Sequence, residues 1–415
     1  MAFALFDSKF TIEPIIERGA IGVIIPNKDF RILPLKEIIK SSDFQKSCFE
    51  LPIILGRTMK AQNIIFDLIT QPQVLVAGAT GQGKSVLLNN IILSLLNKKH
   101  PAELKFILID THLLEFNPYS LIEKHYLAKL PHFEKPVISN VLKAEQTLLS
   151  LCKEMDNRYE LLSRSISQNI RNYNQKFKAR KLNPKSGNRF LPYIVVIIDE
   201  YSDLAMQSDN DAQLSLIQLT RKAHVVGIHI ILATQRPTNN IITDDLKANF
   251  LTRIAFKVSS SLESKLILND NGAENLSGRG DALYFEGFNT TRIQVPYVST
   301  EEVVRITSFI GNQRGYESSF HLPENIVDSS YNYSIDNKDF NDRDILFDEV
   351  ARLIVMNQQG STSLIQRKFS IGYNRAGRIM NQLEVTGIVG PDQGSKPRDV
   401  YITDEYSLER ILREM

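Results

Sequence analysis

Residues 78–85 read GATGQGKS and match the phosphate-binding pattern G-x-x-x-x-G-K-[ST] at every position. The glycines let the backbone turn its N–H groups inward, Lys84 can reach the β- and γ-phosphates, and Ser85 can ligate Mg²⁺. The apolar run 74–77 predicts a strand before the loop, and the apolar residues of 86–96 predict a helix after it. This context argues against a chance match or a merely structural glycine turn. The predicted nucleotide site therefore comprises Gly78, Ala79, Thr80, Gly81, Gln82, Gly83, Lys84, Ser85 and Val86.

The composition of the 415 residues is that of an ordinary globular protein, with 43% hydrophobic and 23% charged residues. The length predicts two to three domains. The formal net charge is +2, so any nucleic-acid contact must come from local groups of Lys and Arg. Cys48 and Cys152 have no His or Cys at metal-binding spacing, and we expect both to be buried fillers in a reducing compartment. Since no apolar run reaches about 18 residues, we expect a cytoplasmic chain without a membrane span or signal peptide.

Composition and turn signals divide the chain into four parts. Residues 1–70 alternate short apolar runs with turns, which predicts a small α+β lead-in that ends in a hairpin. Residues 71–320 predict an α/β layer fold with a mostly parallel sheet. Residues 321–343 are rich in Asn, Asp and Ser, as a flexible linker is. Residues 344–415 predict three helices and a Gly/Pro-rich hairpin, the outline of a winged helix-turn-helix.

Strand-like segments in the second part lie at 105–110, 193–199, 228–234, 253–258 and 281–285. Residues 141–173 predict one long helical region between the first two of these strands. The basic stretch 176–181 follows it. A solvated surface loop and a phosphate contact explain that stretch equally well.

Polar side chains follow three of the predicted strands. Asp199 and Glu200 end one of them, and we expect Asp199 to hold Mg²⁺ and Glu200 to orient or polarise the attacking water. A surface strand end is the alternative for this pair. Gln235 follows the next strand, where open α/β sheets place ligand groups, and can sense the γ-phosphate. Asp110 ends another strand and could as easily cap the following turn.

The third helix of the last part has two different faces. One face is apolar and contains Ala376, Ile379, Met380 and Leu383. The opposite face contains Asn and Arg, the side chains that read adenine and guanine edges in a major groove. Residues 361–380 contain no acid, which makes a local basic patch suited to phosphate contacts. An ordinary solvated helix and a winged helix used for protein contacts are the alternatives. The predicted DNA-binding residues in this part are Arg367, Lys368, Asn374, Arg375, Arg378, Asn381, Lys396 and Arg398.

Several stretches resemble the FtsK/SpoIIIE family of hexameric double-stranded DNA translocases. They are LVAGATGQGKSV, YIVVIIDEYSDL, GIHIILATQRPTNNIITDDLKANFLTRIAFKVSSSLESKLIL and GAENLSGRGDALY. The stretch QRKFSIGYNRAGRIMNQLE is similar to the family's γ domain, a winged helix that reads short guide sequences in the chromosome. The similarity runs from about Thr11 to Tyr401.

The resemblance implies a lead-in α domain, a RecA-like P-loop motor (β domain) and a γ-like winged-helix domain. It also implies a homo-hexameric ring around duplex DNA, translocation driven by ATP and Mg²⁺, and a role in chromosome segregation and cell division. By position, Arg236 and Lys265 would lie on loops that face the DNA channel, and site-specific recombinases would be partners of the γ-like domain. Family members are usually tethered to the inner membrane by a region absent here, so a fragment or a soluble paralogue is expected.

Departures from the family pattern leave a second function open. The family usually reads K-A-R-A-A-G where this chain has His224, so a trans-acting arginine finger would be lost. Such a finger can be worth ~10³ to 10⁵ in rate. Ser261 replaces a basic residue, and Asn381 stands where the family often has Glu. The alternative is therefore a divergent paralogue that binds ATP and DNA but hydrolyses poorly. A ring ATPase of conjugation or secretion is a third hypothesis, which the γ-like domain disfavours.

Overall fold

The structure, a computed structural model, describes residues 11–15, 20–24, 31–207, 210–324, 346–369, 373–391 and 397–414. The chain forms two compact units, residues 1–325 and 326–415. The finer division at residues 70, 320 and 343 stays a prediction, and most of the predicted linker 321–343 lies outside the described residues. Among the helices that are described, none combines the length and the apolar character needed to cross a bilayer.

The first unit alternates strands and helices. Its strands are β1 (Thr11–Ile15), β2 (Ala20–Ile24), β3 (Pro52–Thr58), β4 (Asn63–Asp67), β5 (Gln73–Ala77), β6 (Leu104–Ile109), β7 (Ala128–Lys129), β8 (Val137–Ile138), β9 (Tyr193–Ile198), β10 (Ile228–Thr234), β11 (Thr252–Phe256), β12 (Asp281–Glu286), β13 (Asn289–Gln294) and β14 (Phe320–His321). Its helices are α1 (Leu35–Ile39), α2 (Ser42–Gln45), α3 (Lys84–Lys98), α4 (Glu123–Tyr126), α5 (Val141–Arg164), α6 (Ile170–Lys178), α7 (Tyr201–Gln207), α8 (Asn210–Lys222), α9 (Asp244–Asn249), α10 (Ser261–Leu268) and α11 (Thr300–Gly311).

A ten-stranded sheet organises this unit, in the order β4-β3-β13-β12-β11-β5-β10-β9-β6-β8. Strands β11, β5, β10, β9, β6 and β8 are parallel to one another. Strands β12, β13, β3 and β4 extend the sheet with antiparallel pairings. Every residue of β5, β9 and β10 is buried, which explains why these strands read as unbroken apolar runs. Their carboxyl ends lie at one edge of the sheet, where the phosphate loop begins.

The predicted strand segments correspond to β6, β9, β10, β11 and β12. Two predictions about the first unit were wrong. The single helical region 141–173 is two helices, since residues 165–169 separate α5 from α6 and the side chain of Asn169 caps α6. Cys48 is exposed rather than buried, and Cys152 is half-buried. Strand β13, and the place of β3 and β4 in the main sheet, were not foreseen from the sequence.

The second unit contains α12 (Phe347–Asn357), α13 (Thr362–Phe369), α14 (Tyr373–Val385) and α15 (Glu405–Glu414). An antiparallel bridge joins Val389 to Val400, where the hairpin was predicted. The predicted inner face of α14 is confirmed, because Ala376, Ile379, Met380 and Leu383 are buried in the core of this unit. The three predicted helices and the hairpin form a winged helix-turn-helix. Helix α15 was not foreseen, and its Leu408 packs in the same core.

A fully buried arginine on α5 connects the starts of two central strands. The Nη1 of Arg158 donates to the carbonyl of Pro192 at 2.9 Å, before β9, and to that of Val226 at 3.0 Å, before β10. Its Nε donates to Glu154 at 2.8 Å, and Arg189 donates to both oxygens of the same carboxylate. Burial lowers the pKa of Arg158, and the charge of Glu154 opposes that shift. The cluster therefore fixes the two strands whose far ends carry the site.

We expect Arg158→Leu to destabilise the first unit strongly. The change leaves two carbonyls without a donor and removes one cation from Glu154, and breaking a buried ion pair from one side costs about 3–5 kcal/mol. Thermal unfolding followed by circular dichroism measures the loss. Arg189→Ala is the matched control, because its side chain is 46% exposed and its loss leaves Glu154 paired with Arg158. Equal destabilisation by the two variants would contradict the role assigned to Arg158.

Candidate nucleotide-binding site

The phosphate loop follows a path that leaves no room for side chains at two glycines. At Gly78 (φ +153°) a Cβ would lie 2.6 Å from the Cβ of Phe256. At Gly83 (φ +124°) a Cβ would lie 3.0 Å from the Cα of Gly280. The N–H of Gly280 donates to the carbonyl of Gln82 at 2.9 Å. Strand β11 and the loop before β12 thus hold the phosphate loop in its turn.

Lys84 begins α3 and points back into the loop. The residue is 5% exposed, and its Nζ donates to the carbonyls of Gly78 at 2.8 Å and Ala79 at 3.1 Å. Burial lowers the pKa of Lys84 to about 8, against the attraction of three carboxylates, Glu200, Asp199 and Glu115. The ammonium therefore remains charged at neutral pH. Together with the N-terminus of a helix of 15 residues, it places positive charge where phosphates are predicted to bind.

Asp110 caps the turn after β6. The sequence allowed this role beside that of a polar group in the site. Its carboxylate is completely buried and accepts hydrogen bonds from the backbone N–H groups of His112 at 3.1 Å, Glu115 at 2.9 Å and Phe116 at 3.0 Å. These bonds satisfy both oxygens. Asp110 is thus a structural residue that also adds negative charge beside the site.

Glu200 is held by donors from two strand ends. Its Oε1 accepts from the hydroxyl of Ser202 at 2.6 Å, from the N–H of Ser202 at 3.2 Å and from the hydroxyl of Thr234 at 2.8 Å. Its Oε2 accepts from the N–H of Gln235 at 2.9 Å. Four hydrogen bonds fix the orientation of this buried carboxylate. Ser202 and Thr234 were not foreseen from the sequence, where their only signal is a hydroxyl within two positions of an acidic or polar residue at a strand end.

Gln235 lies against the phosphate loop. The oxygen of its side chain accepts a hydrogen bond from the hydroxyl of Thr80 at 2.5 Å. The strand end that carries Gln235 thereby contacts both the loop and Glu200. The role of Gln235 in sensing the γ-phosphate stays a prediction.

Asp199 differs from the other two carboxylates because no residue that the structure describes donates a hydrogen bond to its side chain, although it is only 8% exposed. Burial and the charges of Asp110, Glu115 and Glu200 raise the pKa of Asp199 to about 7, and Lys84 opposes the shift. A buried carboxylate without donors is costly unless a cation satisfies it.

The oxygens of Asp199 and of the Ser85 hydroxyl are the donors that Mg²⁺ prefers, so these residues fit the predicted metal role. The described residues contain no group of three or more metal-ligating side chains. That is the usual situation for Mg²⁺, which keeps several waters and takes few protein ligands.

The predicted DNA-binding residues fall into three groups. Four are exposed: Arg236 after β10, Lys265, which lies in helix α10 and not on a loop as expected, and Arg367 and Lys368 in α13. Arg398 instead pairs with Glu384 at 2.7 Å, and its side chain is 10% exposed. Lys396 lies outside the described residues, as do the side chains of four residues whose backbone is in α14, Asn374, Arg375, Arg378 and Asn381.

His224 lies in a short 3-10 helix, Ala223–Val226, after α8 and is exposed at the surface. Partial burial of the ring lowers the pKa of His224 below its usual value of 6.5. The imidazole is therefore neutral at pH 7 and does not supply the positive charge of an arginine.

A glycine loop after a central parallel strand, a buried lysine at the start of the next helix, and an acidic end on a nearby parallel strand define a P-loop nucleotide-binding domain of the RecA-like α/β class. Comparison with known proteins places the chain within this class. The profile of the FtsK/SpoIIIE family matches residues 34–239, and that of the FtsK gamma domain matches residues 341–403. The chain belongs to the FtsK/SpoIIIE family.

Two curated relatives match almost the entire chain. The DNA translocase FtsK of Chlorobaculum tepidum is 42% identical over 408 residues, which cover 97% of this chain and 50% of that protein. The DNA translocase SpoIIIE of Bacillus subtilis is 39% identical over 409 residues, which cover 98% of this chain and 50% of that protein. The chain thus spans about half the length of the curated relatives it matches.

Solved structures confirm the α/β fold. The pCW3 conjugation coupling protein TcpA, in its monomer form with ATPγS, has a TM-score of 0.55 at 26% identity, with coverage of 71% of this chain and 80% of that chain. The cytoplasmic domain of the Thermomonospora curvata type VII secretion ATPase EccC has a TM-score of 0.57 at 21% identity, with coverage of 71% and 36%.

The raised pKa of Asp199 predicts a pH-dependent stability. The folded state retains the proton up to about pH 7, whereas the ordinary pKa is 3.8, so stability falls as pH rises through this window. At about 1.4 kcal/mol per pKa unit, the ionised carboxylate costs up to about 4 kcal/mol. Without Mg²⁺ and nucleotide, we expect Asp199→Asn to melt several degrees above the wild type at pH 8 and above it by a clearly smaller margin at pH 5.

Differential scanning calorimetry at the two pH values measures this difference. Asp244→Asn is the control, because its side chain is fully exposed and its effect should not change between the two pH values. If Asp199→Asn shifted the melting temperature equally at pH 5 and pH 8, the assigned electrostatics would be wrong.

Proposed function

We propose that the chain is an ATP-dependent double-stranded DNA translocase that acts in chromosome segregation and cell division. The observation that carries the proposal is the joint presence of a P-loop site in the first unit and a winged helix in the second. A P-loop site supplies nucleotide hydrolysis, and a winged helix is a common DNA-reading module. The relatives that match 97% and 98% of the chain are named DNA translocases, which supports the same function here.

The geometry of the loop supports the nucleotide roles in this proposal. The backbone N–H groups of residues 78–86 surround the phosphates of ATP, and the Lys84 ammonium moves from the loop carbonyls to the β- and γ-phosphates. Ser85 and Asp199 would hold Mg²⁺, which when bound would neutralise charge on the phosphate oxygens. Glu200 orients the attacking water, and Gln235 responds to the γ-phosphate through its contact with the loop.

Exposed cations carry the DNA contacts in this proposal. Arg236 and Lys265 face the duplex from the first unit, and Arg367 and Lys368 contact phosphates from the second. In α14, base recognition falls to Asn374, Arg378 and Asn381, with Arg375, Lys396 and Arg398 as further contacts. Arg398 would first have to leave Glu384, so its contribution is expected to be smaller.

The same function implies assembly and location. A homo-hexameric ring around duplex DNA allows each subunit to complete a neighbour's site, and the winged helix offers a surface for site-specific recombinases. The chain acts on DNA in the cytoplasm, with the motor at residues 71–320 and the reader at 344–415 on either side of a linker. The alternative of a poorly hydrolysing paralogue rests on His224 and Ser261, and none of the contacts around Lys84, Asp199 and Glu200 favours it.

We expect long duplex DNA to increase the ATP turnover of the wild-type chain severalfold, because hydrolysis is tied to movement along DNA. Phosphate release measured with and without duplex DNA tests this. Lys84→Ala should lose turnover by about 10²-fold or more in both conditions, since the charge that stabilises the transferring phosphoryl group is gone. A wild type that hydrolyses ATP at the same rate with and without DNA would refute the translocase function.

We expect the variant with both Arg367→Gln and Lys368→Gln to bind duplex DNA less tightly and with a weaker salt dependence. The slope of log affinity against log salt should fall in magnitude by about 0.9 for each DNA phosphate that the variant no longer neutralises. A fluorescence titration across a salt series measures the slope. Arg352→Gln is the control, because Arg352 is already paired with Glu409 at 2.8 Å. An unchanged slope in the double variant would assign the winged helix to protein contacts.

A further inference from the structure

One threonine at the end of β10 touches three parts of the candidate site. Thr234 is completely buried, and its carbonyl accepts the N–H of Gly78 at 3.3 Å. Its hydroxyl donates to Oε1 of Glu200 at 2.8 Å. The same hydroxyl oxygen accepts the N–H of Arg236 at 3.1 Å. Thr234 thus contacts the phosphate loop, the carboxylate of Glu200, which is proposed to orient the attacking water, and the backbone of Arg236, the first exposed cation after β10.

The chemistry of a hydroxyl makes these contacts interdependent. It has one proton to donate, and its oxygen accepts through lone pairs. The bond from Arg236 fixes the oxygen of Thr234, and the proton is directed at Glu200. A displacement of the Arg236 backbone therefore changes the hydrogen bond that the Thr234 hydroxyl donates to Glu200.

Gln235 gives the same segment a second connection to the carboxylate. Its N–H donates to Oε2 of Glu200 at 2.9 Å, and its side chain accepts from Thr80 at 2.5 Å. The amide of Gln235 thus donates directly to one oxygen of Glu200. The next amide, that of Arg236, is connected to the other oxygen through the Thr234 hydroxyl.

The segment that carries these amides is short and anchored at its far end. Residues 235, 236 and 238–240 are exposed, whereas Ile241 and Ile242 are buried and donate their N–H groups to the carbonyl of Thr238 at 3.0 Å and 2.8 Å. The loop 235–240, which is exposed except at Pro237, is held between a strand end and a buried turn, so a force on it acts on the strand end.

We propose that Thr234 is a positioning residue that links contact between DNA and the loop 235–240 to the orientation of Glu200. The inference rests on the proposed function, since it requires that DNA contacts this loop. A duplex that displaces the Arg236 backbone alters the Arg236–Thr234 and Gln235–Glu200 hydrogen bonds together, and the carboxylate moves relative to the attacking water.

Ser202 provides an internal comparison. It donates two hydrogen bonds to the same Oε1 atom of Glu200, but it belongs to α7 and makes no hydrogen bond with the loop 235–240 within the described residues. Loss of the Ser202 hydroxyl therefore perturbs the carboxylate without cutting its connection to the loop.

The test is the ratio of ATP turnover with and without duplex DNA in the full chain. Thr234→Val keeps the shape of the side chain and removes the hydroxyl. We expect this ratio to fall close to one, with loss of most of the severalfold stimulation, because a hydrogen bond to a charged group is lost. Thr234→Ser restores the hydroxyl and should restore the ratio. Ser202→Ala should change turnover in both conditions alike and leave the ratio near that of the wild type.

The outcomes are distinguishable. An unchanged ratio in Thr234→Val, or an equal fall of the ratio in Ser202→Ala, overturns the proposal while DNA stimulation of the wild type stands. If duplex DNA does not stimulate ATP turnover of the wild type, the proposed function is wrong, and the linkage through Thr234 is wrong with it. A measurement on the wild type covers the case in which Thr234→Val does not fold. Duplex DNA should alter hydrogen–deuterium exchange of the amides of residues 235 and 236, and unchanged exchange would also overturn the proposal.

Discussion

The register of three parallel strands is the constraint on which the site depends. Ala77 lies beside Thr234, and Leu232 lies beside Ile198. The strands β5, β10 and β9 therefore end at one edge of the sheet, and the pairing fixes the position of each end relative to the next. The phosphate loop, the hydroxyl of Thr234 and the carboxylate of Glu200 are neighbours only in this register, because a slip of one residue turns every side chain to the opposite face. The guanidinium of Arg158 holds the starts of β9 and β10 and thereby sets where they end.

Hydrogen bonding distinguishes three carboxylates that look alike in the sequence. Asp110 is satisfied by backbone amides, and Glu200 by two hydroxyls and two amides, so each is fixed before any ligand arrives. Asp199 has no such donor among the described residues, and its raised pKa shows that its charge is unfavourable in the folded chain. A divalent cation bound by Asp199, as proposed, would relieve that cost and would couple metal binding to the free energy of the folded state. The lowered pKa of Lys84 reflects the same burial acting on a cation.

The loop and its flanking strands could be predicted from the sequence because their signals are local. A glycine motif and unbroken apolar runs do not depend on distant residues. Strand β13 could not be predicted, since it reads NTTRIQ, pairs with β3 at only Ile293 and Gln294, and has one buried residue. The donors to Glu200 could not be predicted either. Hydroxyls such as those of Ser202 and Thr234 are common near strand ends, and their direction depends on the pairing of β9 with β10. The exposure of Cys48 likewise depends on how residues 47–50 pack, which no local pattern specifies.

The net charge of +2 gives little information about DNA binding because many cations serve the fold. Arg158 and Arg253 are buried and donate to carbonyls, Lys84 lies inside the phosphate loop, and Arg398 is paired with Glu384. The placement of the exposed cations therefore matters more than the net charge, and α13, which has no acid in its first turn, is one place where they are not offset locally. Each phosphate contact adds to affinity and to its salt dependence. A protein that must release and remake its contacts as it moves is better served by a few such contacts than by a uniformly basic surface, so a nearly neutral chain is consistent with the proposed movement along DNA.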